Sequence, residues 1–334
     1  MLRQYCTYFD HRYLSRALAM MRSLRRVEPA AEIFALCMSD QAYEYFAVNP
    51  EPGVRPVALS EFESGDEELL RAKHDGRSAI EYYFTCTPSL IRYGFRLAPE
   101  AQFMTYLDAD LWFFSAPDAL YQRAKNAAAI IIPHRFPPEH YERTRFGIFN
   151  VGWVTFRRDE EGLRLLEWWR KRCLEWCFDR VDEENDRFAD QRYLDRFPEL
   201  STKVYIVVHK GANLAPWNMG GYQLSQGDST ILIDDRDPLI FFHFHGLKAL
   251  SSQVFLTGQK IYHAQMSSLI KEKVYRPYLN ELCRISRYIG TNSSPLRSIY
   301  GEGGSDFVSG IKSAVTIVRA LRANSLIWVE THFE

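Results

Sequence analysis

The chain predicts an α/β fold: a single Rossmann-like, mostly parallel sheet flanked by helices, with a helical appendage at the C-terminus. Three observations carry this reading. Strand and helix patterns alternate over residues 2–59, an apolar run at 102–107 ends in two closely spaced aspartates, and short basic helices replace the earlier pattern from about Gly258.

Leu2–Phe9 reads as the first strand, and Leu14, Leu18, Met21 and Leu24 recur behind it at helical spacing. Ile33–Met38 is a second strand, Ser39 and Asp40 offer caps for a helix over Ala42–Ala47, and Val54–Leu59 is a third strand. This alternation builds parallel strands joined by crossover helices, and ligands then bind beyond the carboxyl ends of the strands. Thr87-Pro88 signals the start of a helix over Ser89–Leu97, since proline is tolerated in a first turn. Strands follow at Gln102–Leu107, Ala127–Ile132 and Phe146–Phe156, the last split by Asn150 and Gly152.

A helix over Glu160–Phe178 is expected to turn Leu163, Leu166, Trp169 and Leu174 toward a core. Arg187–Phe197 reads as helical, and Lys203–Val208 and Leu239–Phe244 as strands. Around the strand at 127–132, residues 121–145 hold three prolines and two histidines and read as a long loop, of the kind that shapes a binding site. Phe307, Ile311, Val315, Val318 and Leu321 form one apolar stripe flanked by Lys312, Arg319 and Arg322. The expected division is a main domain over 1–258 and a helical extension over 259–334.

With 334 residues, 46% apolar and 25% charged, the chain can bury a full core. A net charge of −1 removes the electrostatic case for nucleic-acid binding, which gains affinity from a basic face. The six cysteines include no CxxC pair, and Cys173 and Cys177 sit one helical turn apart, as residues sharing a core face do. A reducing cytoplasm is the simplest setting. No apolar run approaches the ~18 residues that a membrane-spanning helix needs.

The stretch MTYLDADLWFF over 104–114 is the most informative. In an extended chain residues two apart point the same way, so Asp108 and Asp110 can aim both carboxylates at one point. Two close carboxylates repel in a low dielectric, and a divalent cation relieves that repulsion. The competing reading is a strand-end cap and a turn residue.

In order along the chain, CTYFDHRYLSRALAMMRSL, YLDADLWFF, FNVGWVTF, ADQRYL and HFHGLK resemble the motifs of GT-A glycosyltransferases, the family that includes glycogenin and bacterial lipopolysaccharide sugar transferases. The resemblance covers about residues 5–248 and implies a GT-A domain over 1–258 that binds a nucleotide-sugar donor, UDP-linked, across the ends of the parallel strands. Asp108 and Asp110 match the family's DxD, which holds Mn²⁺ or Mg²⁺ on the donor diphosphate. His243 matches the histidine that completes the protein ligands, and Gly246 and Lys248 match positions that approach the diphosphate. The spacing His243-x-x-Gly246-x-Lys248 is one residue shorter than the family's usual pattern. Asp190 and Gln191 match the acidic-glutamine pair near the transferred sugar. The resemblance further implies retention of anomeric configuration, a saccharide or lipid-linked saccharide acceptor and a role in surface polysaccharide assembly.

Each residue also has a structural reading. A lone histidine in an aromatic strand, as His243 would be, is often a satisfied core residue. Thr7, Tyr8 and Asp10 follow the first strand, where a nucleotide's base and ribose would sit, but Tyr8 can be core and Asp10 a helix cap. Asn150 and Gly152 mark a strand irregularity that either reaches sugar hydroxyls or is a structural bulge. Arg77 or Arg92 can meet the aspartates or phosphates, or be solvated helix charges. Asn213, Trp217 and Asn218 suit a sugar platform, and Trp217 equally suits a loop anchor. Asp190 can also be a solvated helix carboxylate.

The basic C-terminal helices can touch the inner membrane face peripherally, pack on the main domain, or meet a second copy in a homodimer. A sugar nucleotidyltransferase is the nearest rival, but its Gly-rich basic loop is missing from YCTYFDHRYL. A non-catalytic nucleotide-sugar-binding module is the other.

Overall fold

The computed structural model describes residues 2–228, 230–292, 296 and 325–329, and the apolar stripe expected at 307–321 lies outside them. The chain divides into two compact units of interleaved segments. One comprises residues 1–11, 24–109 and 116–209, the other 12–23, 110–115 and 210–334.

The first unit holds a seven-stranded sheet, reached through β1 (Arg3–Phe9), α1 (Leu14–Val27), β2 (Ile33–Cys37), α2 (Asp40–Val48) and β3 (Val54–Ala58). After the helices α3 (Leu59–Glu63), α4 (Glu67–His74) and α5 (Ala79–Leu97) comes β4 (Phe103–Leu107). The chain continues through β5 (Leu111–Phe113), α6 (Asp118–Arg123), β6 (Ala129–Pro133), β7 (Phe149–Arg157), α7 (Glu160–Glu175), α8 (Phe197–Leu200) and β8 (Val204–Ile206). The strand order is β3-β2-β1-β4-β7-β6-β8. The pairs β3–β2, β2–β1, β1–β4 and β6–β8 are parallel, while β7 runs antiparallel to both β4 and β6. This is the mostly parallel, helix-flanked sheet that the alternating pattern predicts. Leu14, Leu18, Met21 and Leu24 of α1 are all buried.

Four expectations need correction. Thr87-Pro88 does not begin a helix: α5 starts at Ala79 behind a Ser78–Glu81 capping box, and Pro88 lies inside it. A reciprocal cap satisfies two orphan N–H groups, and the burial of Tyr82, Cys86, Leu90 and Ile91 holds the helix past the one bond proline forfeits. Leu163 of α7 is exposed, and Leu165, Leu166, Trp169 and Cys173 form the buried face instead. Arg187–Phe197 is not one helix: Ala189 has a positive φ, and only a short 3-10 turn at Arg192–Arg196 precedes α8. Residues 121–145 hold the end of α6, strand β6 and most of a 3-10 segment over Pro138–Phe146, so they are more ordered than a loop.

The second unit pairs β5 antiparallel with β12 (Phe241–His243). It also carries the meander β9 (Leu224–Gln226), β10 (Ile231–Ile233), β11 (Asp237–Pro238), and the sheet β13 (Lys248–Ala249), β14 (Val254–Leu256), β15 (Leu326–Trp328). After α9 (Ser268–Ile270), helix α10 (Arg276–Asn292) lays Tyr278 flat on Phe244 at 3.9 Å between ring centroids and edge-on to Trp112 at 5.6 Å. Helices after Gly258 thus pack on aromatic strands, and β15 adds a strand to a stretch expected to be helical. All six cysteines are buried and unbridged.

Gly162 sits where a Cβ would lie 2.2 Å from the Arg157 carbonyl oxygen and 2.8 Å from that of Ala128. Backbone cannot yield as a flexible side chain does, so Gly162→Ala is expected to destabilise the chain by about 2 kcal/mol or more. Leu163→Ala, one residue on and exposed, should stay within about 0.5 kcal/mol. Urea unfolding of the two variants checks the contrast.

Candidate functional site after strand β4

Every residue of β4 is buried, and the strand ends at Leu107. Asp108, Ala109 and Asp110 form the turn that leads into β5, so a turn, not an extended pair, sets the two carboxylates. Asp108 is fixed twice: its N–H donates to the Gly152 carbonyl at 3.1 Å, and the Tyr106 hydroxyl donates to its Oδ1 at 2.9 Å. The first bond comes from the irregular part of β7, where register slips opposite Ile131 and Ile132. Gly152 therefore belongs to a bulge, the structural one of its two readings, and the bulge supplies a carbonyl.

Within the second unit, His243 Nε2 lies 3.0 Å from Asp110 Oδ1. His243 closes β12, pairs with Leu111 in register and donates its backbone N–H to the Leu214 carbonyl at 2.8 Å. The Phe244 N–H donates to the Asp110 carbonyl at 3.0 Å. Trp217 stands edge-on to His243 and His245, at 5.0 and 5.5 Å, which makes it an anchor for both rings. Burial pushes the Asp110 carboxyl up, and His243, with His245 and Arg16, more than offsets this and holds it below the ordinary value.

Asp108 is tied to Asp110 by two peptide bonds, and Asp110 meets His243 inside one unit. Each of the three offers a ligand atom, and these atoms lie within 4.8 Å of one another. Two carboxylate oxygens and one imidazole nitrogen suit a divalent cation such as Mn²⁺ or Mg²⁺ and leave coordination positions open for phosphate oxygens.

Asp190 lies in a turn, not on a helix, and is 1% exposed. Trp169 Nε1 donates to its carbonyl at 2.8 Å, and Thr87 hydrogen-bonds its side chain, but Oδ2 has no partner. Burial, with the Asp108 charge adding and Thr87 opposing, raises its carboxyl to about 7. Thr87 Oγ1 also lies 3.4 Å from the Tyr8 hydroxyl, and the Tyr8 ring lies 5.3 Å from that of Tyr106 and 6.1 Å from that of Tyr83. Thr87 and Tyr106 were not among the expected site residues. Thr87 reads as a helix start in the sequence, whereas strand periodicity points to Tyr106, two residues before Asp108.

Other expected residues have settled partners. Asn150 Nδ2 donates to Gln191 Oε1 at 3.2 Å and lies 3.3 Å from His134 Nε2, while its Oδ1 accepts from Gly152 at 3.2 Å. Gln191 also accepts from the Val151 N–H at 3.2 Å and donates to the Phe146 carbonyl at 2.9 Å. Both amides are committed to holding the bulge. Arg77, expected near the aspartates or phosphates, instead donates to the carbonyls of Ala72, Cys173 and Leu174, tying together the last turns of α4 and α7. Arg92 makes an exposed pair with Glu167 at 3.7 Å, as a solvated helix charge does.

Thr7 is buried in β1 with no partner for its hydroxyl. Asp10 lies just beyond β1, and α1 begins only at Leu14, too far on for Asp10 to be its cap. Gly246 has φ +74, a conformation glycine adopts freely, and Lys248 is exposed in β13.

No protein-family model matches the chain. Two Bacillus subtilis (strain 168) proteins do: the uncharacterised YfnD, 31% identical over 283 residues (84% of this chain, 88% of YfnD), and the uncharacterised YfnF, 31% identical over 255 residues (74% and 82%). Among solved structures, the galactosyltransferase LgtC in complex with donor and acceptor sugar analogues is 16% identical, with a TM-score of 0.47, over 73% of this chain and 87% of that one. Mouse xyloside xylosyltransferase 1 is 13% identical, with a TM-score of 0.45, over 73% and 98%.

Asp190 keeps its proton to higher pH when folded than an unfolded aspartate does. Between about pH 4 and 7 the folded state thus binds more protons, and this contribution to stability is lost as pH rises through that window. Asp190→Asn is expected to flatten the fall in stability between about pH 4 and 7, as read by urea midpoints. An equal fall in variant and wild type would show that Asp190 titrates normally.

Proposed function

This chain belongs to the family of the Bacillus subtilis proteins YfnD and YfnF, and we propose that it is a metal-dependent glycosyltransferase that moves a sugar from a UDP-linked donor to an acceptor hydroxyl. The observation that carries this reading is the grouping of Asp108, Asp110 and His243. The five motifs in order, from CTYFDHRYL to HFHGLK, support it.

Asp108, Asp110 and His243 would hold Mn²⁺ or Mg²⁺. When bound, such a cation neutralises charge that develops on the departing diphosphate. Gly246 would let backbone approach the phosphates, and Lys248 would add a mobile positive charge. Tyr8 would offer its ring to the base, with Thr7 and Asp10 near the ribose.

Asp190 is the candidate for the sugar itself. A buried carboxyl with one oxygen lacking a partner is costly unless a ligand supplies a donor, and sugar hydroxyls do so. Gln191 acts in this reading by fixing the bulge that positions Asp108, and Asn150 does the same. Transfer with retention, a saccharide or lipid-linked acceptor, and surface polysaccharide assembly at the cytoplasmic membrane face complete the proposal. So does the division of labour between residues 1–258 and the extension after them. Among the described residues no helix is long and apolar enough to cross a membrane.

A non-catalytic donor-binding protein would share every one of these contacts, and slow donor hydrolysis separates the two. With Mn²⁺, a UDP-sugar is expected to raise the melting temperature and to be hydrolysed slowly, and EDTA should abolish both effects. Asp110→Ala is expected to lose the metal-dependent part, with kcat reduced by about a hundredfold or more. Stabilisation by no nucleotide sugar in the presence of Mn²⁺ would remove the donor assignment.

A further inference from the structure

Asp108 and Asp110 are held in different ways. Asp110 faces His243, which is itself one of the three candidate ligands. Asp108 is engaged by a group that cannot bind the cation in its place: the Tyr106 hydroxyl, 2.9 Å from Oδ1. We infer that Tyr106 is a positioning residue for the metal centre, turning the Asp108 carboxylate into its binding orientation before any cation arrives. The inference rests on the metal reading proposed above.

The geometry supports this role in three ways. Tyr106 is 1% exposed and lies within β4, whose backbone pairs with β1 on one side and β7 on the other, so its ring has little room to follow a moving carboxylate. The Tyr8 ring packs against it at 5.3 Å and backs it from β1. The Asp108 backbone is pinned independently through its N–H to Gly152, so the phenol acts on a side chain whose base is already fixed. A phenol at neutral pH can donate one proton and does so here to Oδ1. Hydrogen bonds of this outer kind orient metal ligands and commonly set metal affinity.

The contact also ties the cation to the nucleotide side of the proposed site. Tyr8, expected to meet the base, touches the ring that holds Asp108, so a substitution that moves one ring is felt by the other.

The test is Mn²⁺ affinity of the full chain, read by electron paramagnetic resonance of unbound Mn²⁺. Tyr106→Phe keeps the ring and removes the donor, and is expected to weaken binding roughly tenfold or more. Tyr93→Phe is the control, because it deletes a phenol–carboxylate bond of the same kind, to Glu61 at 2.6 Å, that serves no metal ligand. It should leave affinity within about twofold. Unchanged affinity in Tyr106→Phe, or an equal loss in both variants, overturns the inference, while loss of binding in Asp110→Ala keeps the metal reading intact. A wild-type chain that binds no Mn²⁺ overturns both.

Should Tyr106→Phe not fold, the wild type still decides. Mg²⁺ added to the metal-free chain draws charge from the Asp108 carboxylate that the Tyr106 phenol donates to, and is expected to shift the near-ultraviolet absorption of a buried tyrosine; an unchanged spectrum overturns the inference.

Discussion

Holding carboxylates close together at the end of a buried strand is the constraint to which the surroundings of β4 answer. Each of the three acids does so differently. Asp110 is balanced by His243, Asp108 by a phenol and a pinned backbone, and Asp190 only partly, by Thr87. Around them the supporting parts are neutral: the bulge in β7, the amides of Asn150 and Gln191 that fix it, and the indole of Trp169 on the Asp190 carbonyl. Neutral hydrogen bonds orient the acids without cancelling their charge, which a cation or a polyhydroxylated ligand can then use.

Helix α5 illustrates how remote elements serve the same region. Its buried residues fix it against the first unit's core, and this sets Thr87 between Tyr8 and Asp190. A proline directly after Thr87 would be a defect in an exposed helix. Here the helix is held by burial along nearly its whole length, so the missing bond is tolerated.

What could be read from the residues follows from range. Strand and helix alternation is local and periodic, and the parallel sheet followed from it. The break at Asn150 and Gly152 was visible because glycine in a strand is a local sign. Asp190 was different: on its own segment it looks like an ordinary polar residue, and its surroundings come from Trp169 and Thr87, contributed by distant parts of the chain. Arg77 failed for the same reason, since the carbonyls it satisfies end two helices far apart in sequence. The Thr87-Pro88 error was a contest between two local rules, and the Ser78–Glu81 cap, which adds hydrogen bonds, prevailed over a proline that merely permits a start.

The interleaving of the two units has a consequence for how such a chain can be divided. Residues 12–23 and 110–115 belong to the second unit although they lie within the first in sequence. A fragment ending at His209 would keep Asp108, Asp110 and Asp190 but lose His243, and one beginning at Lys210 would keep only the histidine. Any cut between Asp108 and His243 separates the candidate ligands, so modular exchange by gene fusion would have to move the intervening chain as one piece.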